Sequence, residues 1–227
     1  MDFIRGKDYG DPEALKHAMA ATSTQHLALR RRRDDADLDA LLRDVQACRA
    51  CAGKLPHLPR PVIQVGAAAR LVIVGQAPGS RVHASGIAWD DDSGDRLRQW
   101  TGLDKDVFYD PARVAMIPMG FCYPGKGGNA DLPPRPECAP LWHDRLLAHL
   151  PRRRLMLLVG FHAQRRYLGA RRAESMTGTV RQFRAYLPEC LPLPHPSWRS
   201  TLWMKRNPWF AEEVVPALRA IVRDTLG

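Results

Sequence analysis

The chain has 227 residues, 45% of them hydrophobic, enough for one α/β domain with a sizeable core. Its net charge of +10 suits an acidic partner, nucleic acid first, and no apolar run approaches the ~18 residues of a membrane span. The amino terminus lacks the charged-then-apolar pattern of a signal peptide, and five cysteines, an odd count, argue against a disulfide framework, so the expected location is the cytoplasm.

Residues 1–35 have no clear apolar period and end in the basic run Arg30–Arg33; they read as an N-terminal extension, with residues 36–227 as a single domain. A helix follows, with Asp37 or Asp39 as its cap and Leu38, Leu41, Leu42 and Val45 on one face. The Pro-punctuated connector beyond it holds a short strand at Val62–Val65. The apolar run 71–74 is a buried strand closed by the tight loop Gly75-Gln76-Ala77-Pro78-Gly79, which has neither the GxxxxGK[ST] nor the GxGxxG pattern. "DSGDRLRQWTG" predicts a helix with Ser93 near its start, and "RVAMIP" a second core strand ending at Pro118. The Gly- and Pro-rich stretch 119–140 is a long irregular loop, of a length that is uncommon unless functional or pinned. "LWHDRLLAHL" is a helix, "LMLLVG" a third core strand, and "FHAQRRYLG" a short helix closed by Gly169. A short strand then leads into the second Pro-rich loop, "LPHPSW". The last helix turns Phe210, Val214, Leu218, Ile221 and Val222 inward and is interrupted at Pro216. Strands alternating with helices predict a layered α/β domain around a largely parallel sheet, whose carboxyl-end loops are the place for a ligand.

Three groups of residues carry chemistry. Cys48 and Cys51 form a CxxC pair, and Cys122 and Cys138 both lie in the long loop; these spacings suit zinc or an iron–sulfur cluster, with buried free thiols as the bland reading. Asp90, Asp91 and Asp92 precede a helix start, where one of them can serve as a cap; three together beside Trp89 in a basic chain point to a need for negative charge, to face a cation or hold a water. His195 is set rigidly between two prolines at a strand end, with Trp198 and Arg199 beside it for stacking and a phosphate contact.

These pieces together resemble the uracil-DNA glycosylase superfamily, over about residues 40–215, and within it the iron–sulfur branches, families 4 and 5. "GQAPG" is similar to the first superfamily motif, GEAPG in family 4. "GIAWDDDSG" aligns with the family 4 stretch GRPFVGKAG, which places Trp89 where the family stacks an aromatic on the flipped base. An aspartate two residues before Ser-Gly, as in family 5, is Asp91 here, and "HPSWR" resembles the second motif, whose His contacts the base. The run "HPSWRSTLWMKRNPWF" resembles a less studied bacterial branch. The resemblance implies a three-layer α/β/α sandwich around a short, mostly parallel four-stranded sheet, and a monomeric DNA glycosylase that removes a deaminated base, uracil first. It implies Asp91 and His195 as catalytic residues, and Gly75, Gln76, Ala77, Pro78, Gly79, Trp89, Ser197 and Arg199 as substrate-binding residues. It implies Cys48, Cys51, Cys122 and Cys138 as ligands of a [4Fe–4S] cluster, with zinc as the alternative. Two departures stand out: Gln76 replaces the catalytic Glu of family 4, and Pro118 replaces the Asn that reads the uracil edge. They leave open a binding protein that keeps the fold and the cluster without the excision chemistry.

Overall fold

A computed structural model describes residues 35–227 apart from Asn129, so the basic run Arg30–Arg33 lies outside the described residues. Four strands form one sheet: β1 (Leu71–Val74), β2 (Val114–Met116), β5 (Leu155–Val159) and β6 (Cys190–Leu193), in the order β2-β1-β5-β6 and all parallel. The register pairs Val72 with Ala115 on one side and with Met156 on the other, and Leu157 with Leu191. All four strands are buried throughout, as expected of a parallel sheet covered on both faces.

Because side chains alternate along a strand, each strand feeds two cores. Leu71, Ile73, Met116, Leu157 and Leu193 face one side, packed by α2 (Ser80–Ser85), α3 (Asp92–Thr101), α7 (Met176–Arg181) and α9 (Val215–Leu226). Val72, Val74, Ala115, Met156 and Leu158 face the other, against α1 (35–46), α5 (Cys138–Ala148) and α6 (Phe161–Leu168). The result is the three-layer α/β/α sandwich expected from the sequence. Among the described residues no helix is long and apolar enough to cross a membrane.

Several local expectations differ from the structure. Helix α1 is already running at residue 35, so Asp37 and Asp39 lie inside it and cap nothing, although Leu38, Leu41 and Val45 do form its buried face. The segment 62–65 contributes only a bridge between Gln64 and Met116. The long loop carries a small hairpin, β3 (Lys126–Gly127) with β4 (Ala130–Asp131), and Cys138 opens α5 rather than ending the loop. Helices α4 (Lys105–Phe108) and α8 (Arg199–Arg206) fill stretches where the sequence reading placed no helix. The interruption is a π-turn at Phe210–Val214, which precedes α9 and puts Pro216 in its first turn, where its missing N–H is no loss.

Candidate active site

The sheet order reverses between β1 and β5, and in open α/β sheets the crevice outside the carboxyl ends at that point receives the ligand. The loop 75–79 leaves β1 there. It is stapled to the chain leaving β2, because the N–H of Met119 donates to Gly75 O (3.0 Å) and that of Gly120 to Gln76 O (2.9 Å). The chain leaving β6 supplies His195, whose Cβ lies 3.5 Å from where a Cβ on Gly160, just after β5, would stand. A groove of about 380 Å³ opens over these ends. It is lined by Gln76, Ala77, Pro78 and Gly79 from the first loop, by Asp91 and Ser93 from the start of α3, and by His195, Ser197, Trp198 and Arg199 from the second loop.

Trp89, which lines a smaller cavity beside the loop 77–79, is in an unusual backbone state. Its φ is +59°, the left-handed region that a bulky residue enters only at a cost of about 1–2 kcal/mol. The conformation is held from outside: Tyr109 Oη donates to Trp89 O (3.2 Å), and Gly94 lies so close to that carbonyl that a Cβ there would clash with it. The indole therefore reaches inward over Gly75, toward the His195 ring, at a centroid distance of 6.0 Å. Behind it remains a cavity of only about 40 Å³, between Trp89, Pro118 and the loop 77–79.

Of the three aspartates, Asp91 is the helix cap: its Oδ1 accepts the N–H of Gly94 (2.9 Å) at the N-terminus of α3. Its other oxygen turns to the groove, since Oδ2 would lie 3.9 Å from a Cβ on Gly79. Asp92 is instead the first residue of α3 and pairs with Arg81 on the surface (2.7 Å). Burial lowers the pKa of His195 below the ordinary histidine value, while the charges of Asp91 and Asp131 pull it up. The imidazole is thus neutral at neutral pH.

The second loop is tied down by its backbone. Arg96 Nη1 donates to Ser197 O (2.6 Å), and Ser200 Oγ donates to the carbonyl of His195. Trp198 is 74% exposed beside the groove, with the Arg199 guanidinium 5.1 Å from its ring centre. On the opposite wall the structure adds Lys126 and Asp131, two residues of the Gly- and Pro-rich stretch that the sequence did not mark as functional. The Gly127-Gly128 pair was the available signal, since adjacent glycines are a hairpin turn signature.

Four cysteines, from three segments of the chain, lie near enough to feel one another's charge. Burial pushes the Cys122 thiol up to about 11 and the Cys138 thiol up to about 12, and the neighbouring thiols Cys48 and Cys51 push both further in the same direction. Cys190 opens β6 and has only Arg171 and Glu189 as charged neighbours, outside this group. Among the described residues, no three His, Cys, Asp or Glu side chains are close enough to hold one metal ion. Over the cysteines, Glu137 accepts from Lys54 Nζ (2.9 Å) and Arg135 Nη2 (2.8 Å), which hold its carboxyl down at about 2, and the Arg135 side chain also reaches Cys51.

Pro118 is fixed through its carbonyl. That oxygen can only accept, so His143 donates to it from Nε2 (3.0 Å) and accepts from Tyr167 Oη at Nδ1 (2.6 Å). His143 is fully buried and stacks on Phe121, and burial lowers its pKa to about 4.

The family model described as "Uracil DNA glycosylase superfamily" matches residues 63–219, a span that holds the loop 75–79, Asp91 and His195 together with two of the four cysteines. The chain belongs to that superfamily.

Proposed function

We propose that this member of the uracil DNA glycosylase superfamily hydrolyses the N-glycosidic bond of a deaminated base flipped out of DNA, uracil first, in base excision repair. One observation carries the reading: a single groove gathers the loop residues 76–79, the free oxygen of Asp91 and His195. An enzyme acting on a base must take it out of the stack, and the groove offers the exposed Trp198, backbone groups and the basic side chains Lys126 and Arg199 for that. As the C1′–N bond breaks, positive charge builds on the sugar and negative charge on the base. Asp91, oriented by its cap bond, faces the first. The neutral His195 imidazole donates a hydrogen bond to the second. Trp89 supplies the stacking face, Gln76 and Ala77 border the base, and Arg199 with Trp198 meets the strand outside.

We assign Cys48, Cys51, Cys122 and Cys138 to a [4Fe–4S] cluster, which places the chain with the iron–sulfur branches. The donor set is all thiol, as iron–sulfur sites require, and Lys54, Glu137 and Arg135 lock the Pro-rich segment over it. Cys48 and Cys51 after α1, Cys122 in the chain leaving β2 and Cys138 at the start of α5 would hold the cluster, and so held these three segments would be tied together.

A second reading is favoured by Gln76 and Pro118, which stand where family 4 has its catalytic Glu and its uracil-reading Asn. On that reading the protein binds damaged DNA without cutting the glycosidic bond. Incubation with oligonucleotides carrying uracil, hypoxanthine or xanthine separates the two: release of free base supports the glycosylase, and binding without release supports the alternative.

A further inference from the structure

We propose that Asp131 is a second carboxylate of this site and holds the water that attacks the sugar, opposite Asp91. The assignment deepens the glycosylase reading and rests on it. Asp131 ends the β3–β4 hairpin, which is closed behind it by the N–H of Leu132 donating to Gly125 O (2.8 Å). Its Oδ1 accepts from Tyr123 Oη (3.4 Å), and its Oδ2 would lie 3.5 Å from a Cβ on Gly79. Asp91 approaches the same point from the other wall, with Oδ1 occupied by the cap and Oδ2 3.9 Å away. Each carboxylate thus has one oxygen tied and the other turned to the same place. Both free oxygens thus lie within 3.9 Å of one point beside Gly79, where a water can sit between the two carboxylates.

Charge argues for the same role. Among the described residues neither carboxylate has a salt-bridge partner, though Lys126 stands opposite Asp131 in the β3–β4 ladder, whereas Asp92 and Asp95 nearby are paired with Arg81 and Arg98. Two unpaired negative charges in the groove oppose the phosphates of a DNA strand, so they do not help binding. What they favour is a cation and an oriented water. The two differ in surroundings: Asp91 is half-buried and fixed by the cap, and Asp131 is exposed at the groove's open side. Asp131 is the one that can take a water from solvent and return its proton there. In the step, the water oxygen bonds to C1′ and the C1′–N pair leaves with the base. The water's proton passes to Asp131 and then to solvent, and the departing base anion is protonated from solvent.

The test is single-turnover base release by the full chain, run beside DNA affinity, on whichever deaminated base the parent cleaves. Asp131→Asn is expected to slow release by ~10²–10³-fold while binding DNA as well or more tightly. Asp131→Glu, which keeps the charge, is expected to stay within about tenfold of the parent. Formate added to Asp131→Ala is expected to restore part of the rate, a response that a purely structural role in the hairpin would not give. Release by Asp131→Asn at the parent rate, with tighter binding, overturns the assignment and leaves the glycosylase reading standing. A parent that releases no base overturns both.

Discussion

The indole of Trp89 occupies the space that any side chain at position 75 would need: a Cβ on Gly75 would stand 2.7 Å from Cζ2 of Trp89. The first motif loop and the Trp89 indole are therefore one packed unit. Gly75→Ala is expected to displace the indole and to destabilise the fold by about 1–3 kcal/mol, the usual penalty of overpacking. Denaturant unfolding measures the loss, and Trp fluorescence reports the displacement.

Gly94→Ala is expected to be worse. Its Cβ would fall on the carbonyl of Trp89, and the same residue's N–H satisfies Asp91. The variant should lose both the left-handed turn and the cap, and base release with them. Pro118→Ala, which leaves the carbonyl held by His143 in place, serves as the control and should keep both.

Asp91 has two separable duties. Asn caps a helix about as well as Asp, so Asp91→Asn should leave stability nearly unchanged, whereas Asp91→Ala should cost about 0.5–2 kcal/mol. Base release should fall by ~10²–10³ in both, and equally in His195→Ala, about 2.7–4 kcal/mol of lost transition-state stabilisation. Asp90→Asn should be near normal. An inactive Asp90→Asn beside a normal Asp91→Asn would move the catalytic assignment by one residue.

Stability should fall on acidification through His143. Its folded pKa is about 4 against an ordinary 6.5, so the unfolded chain takes up a proton first. The stability is fully present above about pH 6.5, is lost as pH falls toward 4, and does not drop further from this group below that. A tenfold difference in proton affinity is worth about 1.4 kcal/mol, so the loss approaches ~3 kcal/mol. Comparing unfolding at pH 7.5 and 4.5 for the parent and His143→Gln isolates it; an equal pH dependence in the two would exclude this cause.

Anaerobically purified protein should carry iron and sulfide and absorb broadly near ~400 nm. Cys190→Ser should keep that absorption and Cys122→Ser should lose it. One zinc per chain without iron would refute the cluster.

The sheet was legible because its strands are short apolar runs closed by Gly or Pro, and the α1 and α9 faces because their apolar periods are unbroken. Strand order was not, since it depends on crossovers that leave no local trace. Asp91 and His195 stood out by their neighbours, Ser-Gly and two prolines. Asp131 did not, because two-residue strands such as β3 and β4 are too short to show alternation, and its role depends on Gly79 lying opposite it. The capping bond of Asp91 was foreseeable only as one of three equivalent aspartates, until Gly94 fixed which one.

The most direct measurement is single-turnover release of free base from oligonucleotides carrying uracil, hypoxanthine or xanthine, with enzyme in excess so that binding and chemistry are separable. The account predicts that at least one of these bases is released by the parent, leaving an abasic strand, and that Asp91→Asn slows that release by ~10²–10³ without weakening DNA binding. DNA bound by the parent with no base released from any of the three would contradict it.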